Sequence, residues 1–180
     1  FFSKLGEIFL SPARVKGIQF RYPRHFSEFP EVARLLEAHP EGVRFLHLKR
    51  RNPLKGAISQ QNSEKLKKST GKAHLFKASN PELRQKLLLD VPRAVKEAHD
   101  RARLDEEYLA WGRSLFDTHE VYYEDLTSDR ERVVNGICRF LQINPFKPDS
   151  LKESDLVKVT SEDLSEAIEN YAELEQAVLA

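Results

Sequence analysis

The sequence predicts an α/β domain with a central parallel sheet flanked by helices. Two short apolar runs, residues 43–48 (VRFLHL) and 119–123 (HEVYY), each end in a polar turn that leads into a helix-like pattern. A long amphipathic stretch lies between them, enough chain to cross back over a sheet and place the second run parallel to the first. No repeat of 20 to 50 residues and no low-complexity linker divides the 180 residues, so residues 1–180 are expected to form a single domain. With 40% hydrophobic and 32% charged residues the composition is that of a globular chain with a real core.

Each element has a local reason. Residues 14–22 (RVKGIQFRY) alternate apolar and basic side chains up to Pro23 and predict a strand. Pro30 opens a short helix with Val32, Leu35, Leu36 and His39 at helical spacing, and Pro40 and Gly42 stop it. Residues 43–48 are compact and apolar enough for a central strand and run directly into Lys49-Arg50-Arg51-Asn52. Pro53 suits a first helical turn, and Leu54, Ala57, Ile58 and Gln61 continue a 3.6-residue stripe. Residues 63–81 are polar and lysine-rich without apolar periodicity and predict an exposed excursion. From Asp90, a plausible N-cap with Pro92 in the first turn, the stripe Val91, Val95, Ala98, Ala102, Leu109 and Phe116 predicts a long helix. The strand at 119–123 ends in Glu124-Asp125-Leu126, and Ser128 to Glu131 has capping-box spacing for the helix that carries Val133, Val134, Ile137, Phe140 and Leu141. Asn144-Pro145 and Lys147-Pro148 break the chain again. A last helix from about Glu162 places Leu164, Ile168, Tyr171 and Val178 on one face.

Composition narrows the function classes. Methionine is absent, where average usage of about 2% would give roughly four, so the string is expected to be a fragment or to lack some residues. The lone Cys138 excludes an internal disulfide and a cysteine-based zinc site, and its apolar neighbours mark a buried structural thiol. The six histidines show neither H-x-H nor H-E-x-x-H spacing, so no metal is assigned. No apolar run reaches the ~18 residues that a membrane span needs, and no signal-peptide pattern opens the chain. A single buried thiol and the absence of an N-x-[ST] sequon fit a cytoplasmic location. The net charge of +1 hides a segregation. Residues 44–72 hold nine basic residues against one acid, whereas 149–175 hold nine acids against two lysines. The basic segment suits an anionic ligand, either nucleic acid or a phosphorylated small molecule.

Chemistry concentrates in residues 45–59 (FLHLKRRNPLKGAIS). A parallel strand delivers its last residues to the carboxyl edge of the sheet, where α/β domains bind ligands, and the following helix N-terminus favours an anion. Arg51, just before Pro53, can grip a phosphate with two prongs, and Ser59, eight residues on, adds a hydroxyl about two turns into the helix. The same spacing also fits a surface cation and a neutral helix residue.

R-N-P-x-x-x-x-x-S after an apolar strand, as in Arg51-Asn52-Pro53 to Ser59, resembles the 3′-phosphate-binding motif of sulfotransferases that use 3′-phosphoadenosine 5′-phosphosulfate (PAPS). Residues 119–141 (HEVYYEDLTSDRERVVNGICRFL) are similar to the same family's strand, Y-E-D-L turn and helix ending in F-L. Residues 164–174 (LSEAIENYAEL) resemble the I-x-N-Y-x-E-L pattern of bacterial carbohydrate sulfotransferases. The resemblance implies a P-loop-like domain in which Arg51 and Ser59 bind the 3′-phosphate of PAPS, with Arg50 as a neighbour, and in which Tyr123, Glu124 and Asp125 chiefly connect a strand to a helix. It also implies an enzyme that moves a sulfuryl group to an acceptor hydroxyl on a carbohydrate or small molecule and leaves adenosine 3′,5′-bisphosphate.

One family feature is missing: no segment reads R-S-G-[ST]-T, the 5′-phosphosulfate loop that follows the first strand. Leu5-Gly6-Glu7-Ile8-Phe9 resembles the G-E-x-x-F segment that comes after that region, so the first strand, loop and helix are expected to be lacking from the 180 residues. By the same similarity Glu7 is the candidate catalytic base; a structural or acceptor-orienting carboxylate is the alternative. Two rival functions stand beside the transferase. One is a nucleic-acid-binding module using residues 44–72, which disagrees with the lack of stacking aromatics between Leu46 and Leu75. The other is a non-catalytic nucleotide-binding homologue.

Overall fold

The computed structural model describes residues 17, 19, 30–71, 75–76, 86–145, 156–157 and 163–179. The chain forms two compact units, Phe1–Val43 and Arg44–Ala180. In the first, α1 (Pro30–Ala38) starts at its proline as expected. Of its apolar stripe Val32 is buried, Leu36 half-buried, and Leu35 and His39 exposed. Gly42 ends the connection at φ 79°, where a side chain would be strained. The strand expected over 14–22 lies outside the described residues apart from Gly17 and Gln19.

The second unit runs β1 (Arg44–Lys49), α2 (Pro53–Thr70), β2 (Leu75–Phe76), α3 (Val91–Leu115), β3 (Asp117–Tyr122), α4 (Tyr123–Ser128), α5 (Arg130–Phe140), β4 (Leu156–Val157), α6 (Leu164–Ala167) and α7 (Tyr171–Leu179). It is a mixed α/β fold. β1 and β3 pair in parallel, with Arg44 opposite Asp117 and Lys49 opposite Tyr122. β2 and β4 form a separate antiparallel pair. Helices pack on both faces of the parallel pair, on one of them only in part. On one, Trp111 of α3 meets Phe45 edge-on at 5.8 Å and Phe116 at 5.3 Å. On the other, reached by strand alternation, His119 stacks on Phe140 of α5 at 5.2 Å. Among the described residues β3 is the one strand that pairs with β1, and Leu46 and Leu48 are exposed, so β1 is less enclosed than its apolar sequence predicts. No helix of the described residues is long and apolar enough to cross a membrane.

The main core cluster contains no residue of β1 or β3. Ala57 and Ile58 of α2, Val91 and Ala94 of α3, Leu87 and Leu89 before α3, and Ile168 and Leu174 near the C-terminus pack together. Two side-chain amides tie this core to the start of α3. Asn170 accepts from the Leu89 N–H and donates to the Leu89 carbonyl, both at 3.0 Å. Gln61 does the same for Asp90, at 3.0 and 3.1 Å. Asp90 in turn caps α3 by accepting from the Arg93 N–H at 3.1 Å.

Several boundaries differ from those expected, each for a local reason. The exposed excursion at 63–81 is helix up to Thr70, because Leu66 is buried, Lys67 and Lys68 complement the C-terminal dipole, and Gly71 at φ 74° closes the helix. Tyr123 belongs to the helix α4 rather than to the strand. The N-cap of α5 is Asp129, whose carboxylate accepts from the Arg132 N–H at 3.2 Å, while Ser128 ends α4. The last helix is interrupted at Ile168, which is extended and bridges to Leu87, so Val178 leaves the expected buried stripe and is exposed. Ala102 is likewise exposed on α3. Cys138 is a buried free thiol, as its neighbours predict.

Candidate functional site

The in-register pairing of β1 and β3 sets the exits of the two strands side by side. Lys49 faces Tyr122 in the last pair, so Arg50 and Arg51 leave β1 next to the point where Tyr123, Glu124 and Asp125 start α4. Asn52 is the N-cap of α2, its side chain accepting from the Lys55 N–H at 3.2 Å, and Pro53 fills the first turn. Asn-Pro of the R-N-P motif therefore builds the helix start. Arg51 is the member of the motif that takes no part in capping the helix.

Both arginines rest on tyrosines. The Arg50 guanidinium carbon sits 4.1 Å from the centre of the Tyr123 ring, and that of Arg51 4.5 Å from Tyr122. Arg51 makes two parallel hydrogen bonds to Asp125, Nη1 to Oδ1 at 2.8 Å and Nη2 to Oδ2 at 2.9 Å. Its backbone N–H donates to Glu124 Oε2 at 3.1 Å. The Arg51 side chain still keeps 51% of its surface open to solvent. Two arginines thus face two carboxylates at the strand exits.

The electrostatics follow from these contacts. The hydrogen bonds from Arg51 hold the Asp125 carboxyl below its ordinary range, and Asp125 raises the Arg51 pKa in return. Burial pushes Glu124 upward, but backbone N–H donors and the charges of Arg50 and Arg51 outweigh it and leave Glu124 below its ordinary range. Lys49 is turned inward to the sheet and pairs with Glu120 at 2.8 Å; Arg113 also donates to Glu120. At the strand exits, Lys49 and Arg51 of the basic segment are therefore met by acids of α3, β3 and α4.

Of the expected site residues, Arg50 and Arg51 come together at this edge. Ser59 is half-buried in the second turn of α2, about 9 Å along the helix axis from Pro53 at ~1.5 Å per residue. Glu7 lies outside the described residues. Sequence reasoning missed the tyrosine supports and the Asp125 partner. The signal was present, since two parallel strands ending in Arg-Arg and Tyr-Tyr-Glu-Asp place those residues together if the register is known. Gly56 adds a detail: a Cβ there would sit 3.8 Å from Arg50 and 3.7 Å from Arg101, so both arginines lie against the second turn of α2.

A separate depression between α2 and the start of α3, lined by Gln61, Lys65, Lys68, Leu88 and others, shares no residue with this edge. Its arginine, Arg93, is bound by Glu64 at 2.9 Å and Glu97 at 2.7 Å. Ile168, Asn170 and Leu174 of the C-terminal pattern serve the core and the Leu89 clamp. Among the described residues no group of three histidine, cysteine, aspartate or glutamate side chains could hold a metal ion. No protein-family model, curated protein or solved structure matches the chain.

Proposed function

We propose that this chain binds the 3′-phosphate of PAPS through Arg51 and belongs to an enzyme that transfers a sulfuryl group to an acceptor hydroxyl on a carbohydrate or small molecule. The observation that carries the reading is the placement of Arg51: two residues after a parallel strand, two residues before a capped 18-residue helix, and fixed by Tyr122 and Asp125. A phosphate at this point would meet a planar two-pronged donor and the positive end of α2. Arg50 at the same helix end and Ser59 in the second turn of α2 are proposed to share the ligand. The fit is conditional on exchange, since the end of the Arg51 fork is held by a carboxylate.

In the proposed reaction the acceptor oxygen forms a bond to sulfur as the bond from sulfur to the 5′-phosphate oxygen breaks. The acceptor proton passes to a base, for which Glu7 is the candidate, and adenosine 3′,5′-bisphosphate leaves. Positioning and charge neutralisation supply most of such catalysis. The P-loop-like topology and a cytoplasmic location are part of the same proposal.

Calorimetric titration tests the reading. Adenosine 3′,5′-bisphosphate should bind more tightly than adenosine 5′-phosphate, and Arg51→Ala should erase the difference, a loss of about ten- to a hundredfold for a two-pronged charged contact. Equal affinities for the two nucleotides in the unaltered protein would overturn it. The alternative reading is a protein that binds the nucleotide without transfer. Release of adenosine 3′,5′-bisphosphate from PAPS on adding candidate acceptors separates the two. A nucleic-acid module is less well supported, because acids of neighbouring elements meet Lys49 and Arg51.

A further inference from the structure

We infer that Asp125 is an affinity-setting residue of the phosphate site: its carboxylate competes with the ligand phosphate for the Arg51 fork and must be displaced when the phosphate binds. The inference rests on the reading of Arg51 as a phosphate ligand. Three observations lead to it. Asp125 occupies both Nη atoms of Arg51 at once, in the geometry a phosphate would use. Tyr122 covers one face of the guanidinium, so a ligand cannot approach from there. The pair is also open to water, with 51% and 31% of the two side-chain surfaces exposed, so exchange needs no unpacking of the core.

A second carboxylate sharpens the point. Glu124 holds the Arg51 backbone N–H, which fixes the main chain while the side chain changes partner. A phosphate that arrives without moving Asp125 would stand beside two carboxylates, and like-charge repulsion would expel it. A phosphate that takes the fork leaves Asp125 to water, a small loss for an exposed carboxylate. The arrangement keeps the arginine ordered in the empty state and lowers the affinity for the ligand by the strength of the pair.

The test is a double-mutant cycle read by ligand titration at physiological salt. Asp125→Asn should tighten adenosine 3′,5′-bisphosphate by about three- to tenfold, the worth of an exposed two-pronged pair. It should leave adenosine 5′-phosphate, which lacks the competing group, nearly unchanged. In the Arg51→Ala background the same substitution should have a clearly smaller effect, because the competition for the fork is gone and only the repulsion of an exposed carboxylate is relieved. Asp125→Ala serves as the second variant and should act in the same direction. Weaker or unchanged binding of adenosine 3′,5′-bisphosphate in both Asp125 variants, with the unaltered protein still preferring it over adenosine 5′-phosphate, would overturn the inference and leave the function reading intact. Loss of that preference in the unaltered protein would overturn both.

Discussion

Arg51 and Asp125, 74 positions apart in sequence, meet in two parallel hydrogen bonds because β1 and β3 end in register. The match of a planar fork to a planar carboxylate is what an ammonium cannot reproduce. Arg51→Lys keeps the charge and loses the fork, so adenosine 3′,5′-bisphosphate should bind about tenfold more weakly than to the unaltered protein. Titration of the lysine variant checks this. Unchanged affinity would mean that charge alone, without bidentate geometry, holds the ligand.

The two amide clamps make a separate prediction about the core. Asn170 satisfies both polar groups of Leu89, a residue that is 4% exposed. Asn170→Ala should therefore lower stability by about 1–3 kcal/mol, the cost of leaving buried backbone groups without a partner. Urea unfolding at constant slope reads the loss. Gln61→Ala should add its own loss at Asp90, and because the two clamped residues are adjacent the double variant should depart from simple additivity. An unchanged midpoint for Asn170→Ala would contradict the clamp.

Much of the fold was legible because its signals are local. Asp90, Pro53 and Pro30 mark helix starts by backbone chemistry alone, and the apolar runs before Arg50 and Glu124 mark strands. The misread places depend on partners far along the chain. Residues 63–70 look like a loop until Leu66 is seen to be buried, and the last helix looks continuous until Ile168 is seen to bridge Leu87. The site divides in the same way. Arg50 and Arg51 follow from strand-turn-helix geometry, whereas Tyr122, Tyr123 and Asp125 require the β1–β3 register, which periodicity does not encode.

A third prediction concerns the close approach of α3 to β1. A Cβ on Gly112 would collide with the Phe45 ring, so the glycine is there for space. Gly112→Ala should destabilise the protein by about 1–3 kcal/mol despite the better helix propensity of alanine. Phe45→Leu in the same chain should recover part of the loss by vacating the ring position. Thermal unfolding of the two single variants and the double variant measures both effects. A stabilised Gly112→Ala protein would show that the helix and strand can separate at no cost.

The last prediction follows from His47, 4% exposed between β1 and α3, with Asp105 Oδ1 3.6 Å from its Nε2. Burial lowers its pKa below the ordinary 6.5 and outweighs the attraction of Asp105; Lys49 on β1 acts with burial, while Glu106 on α3 and Glu120 on β3 act against it. Between the lowered folded pKa and 6.5 the unfolded chain holds more protons than the folded one, so stability rises with pH there. The contribution is complete above the unfolded value and is lost as pH falls through the folded one. Asp105 has the opposite sign: burial raises its pKa above 3.8, so acidification through that window relieves a buried carboxylate. Urea midpoints should therefore fall as the pH is lowered from about 7.5 towards 5, and His47→Gln should flatten this slope. Asp105→Asn removes the largest opposing attraction, so it should lower the His47 pKa further and steepen the acid loss. A slope that is the same in all three proteins would show that His47 does not carry the pH dependence of folding.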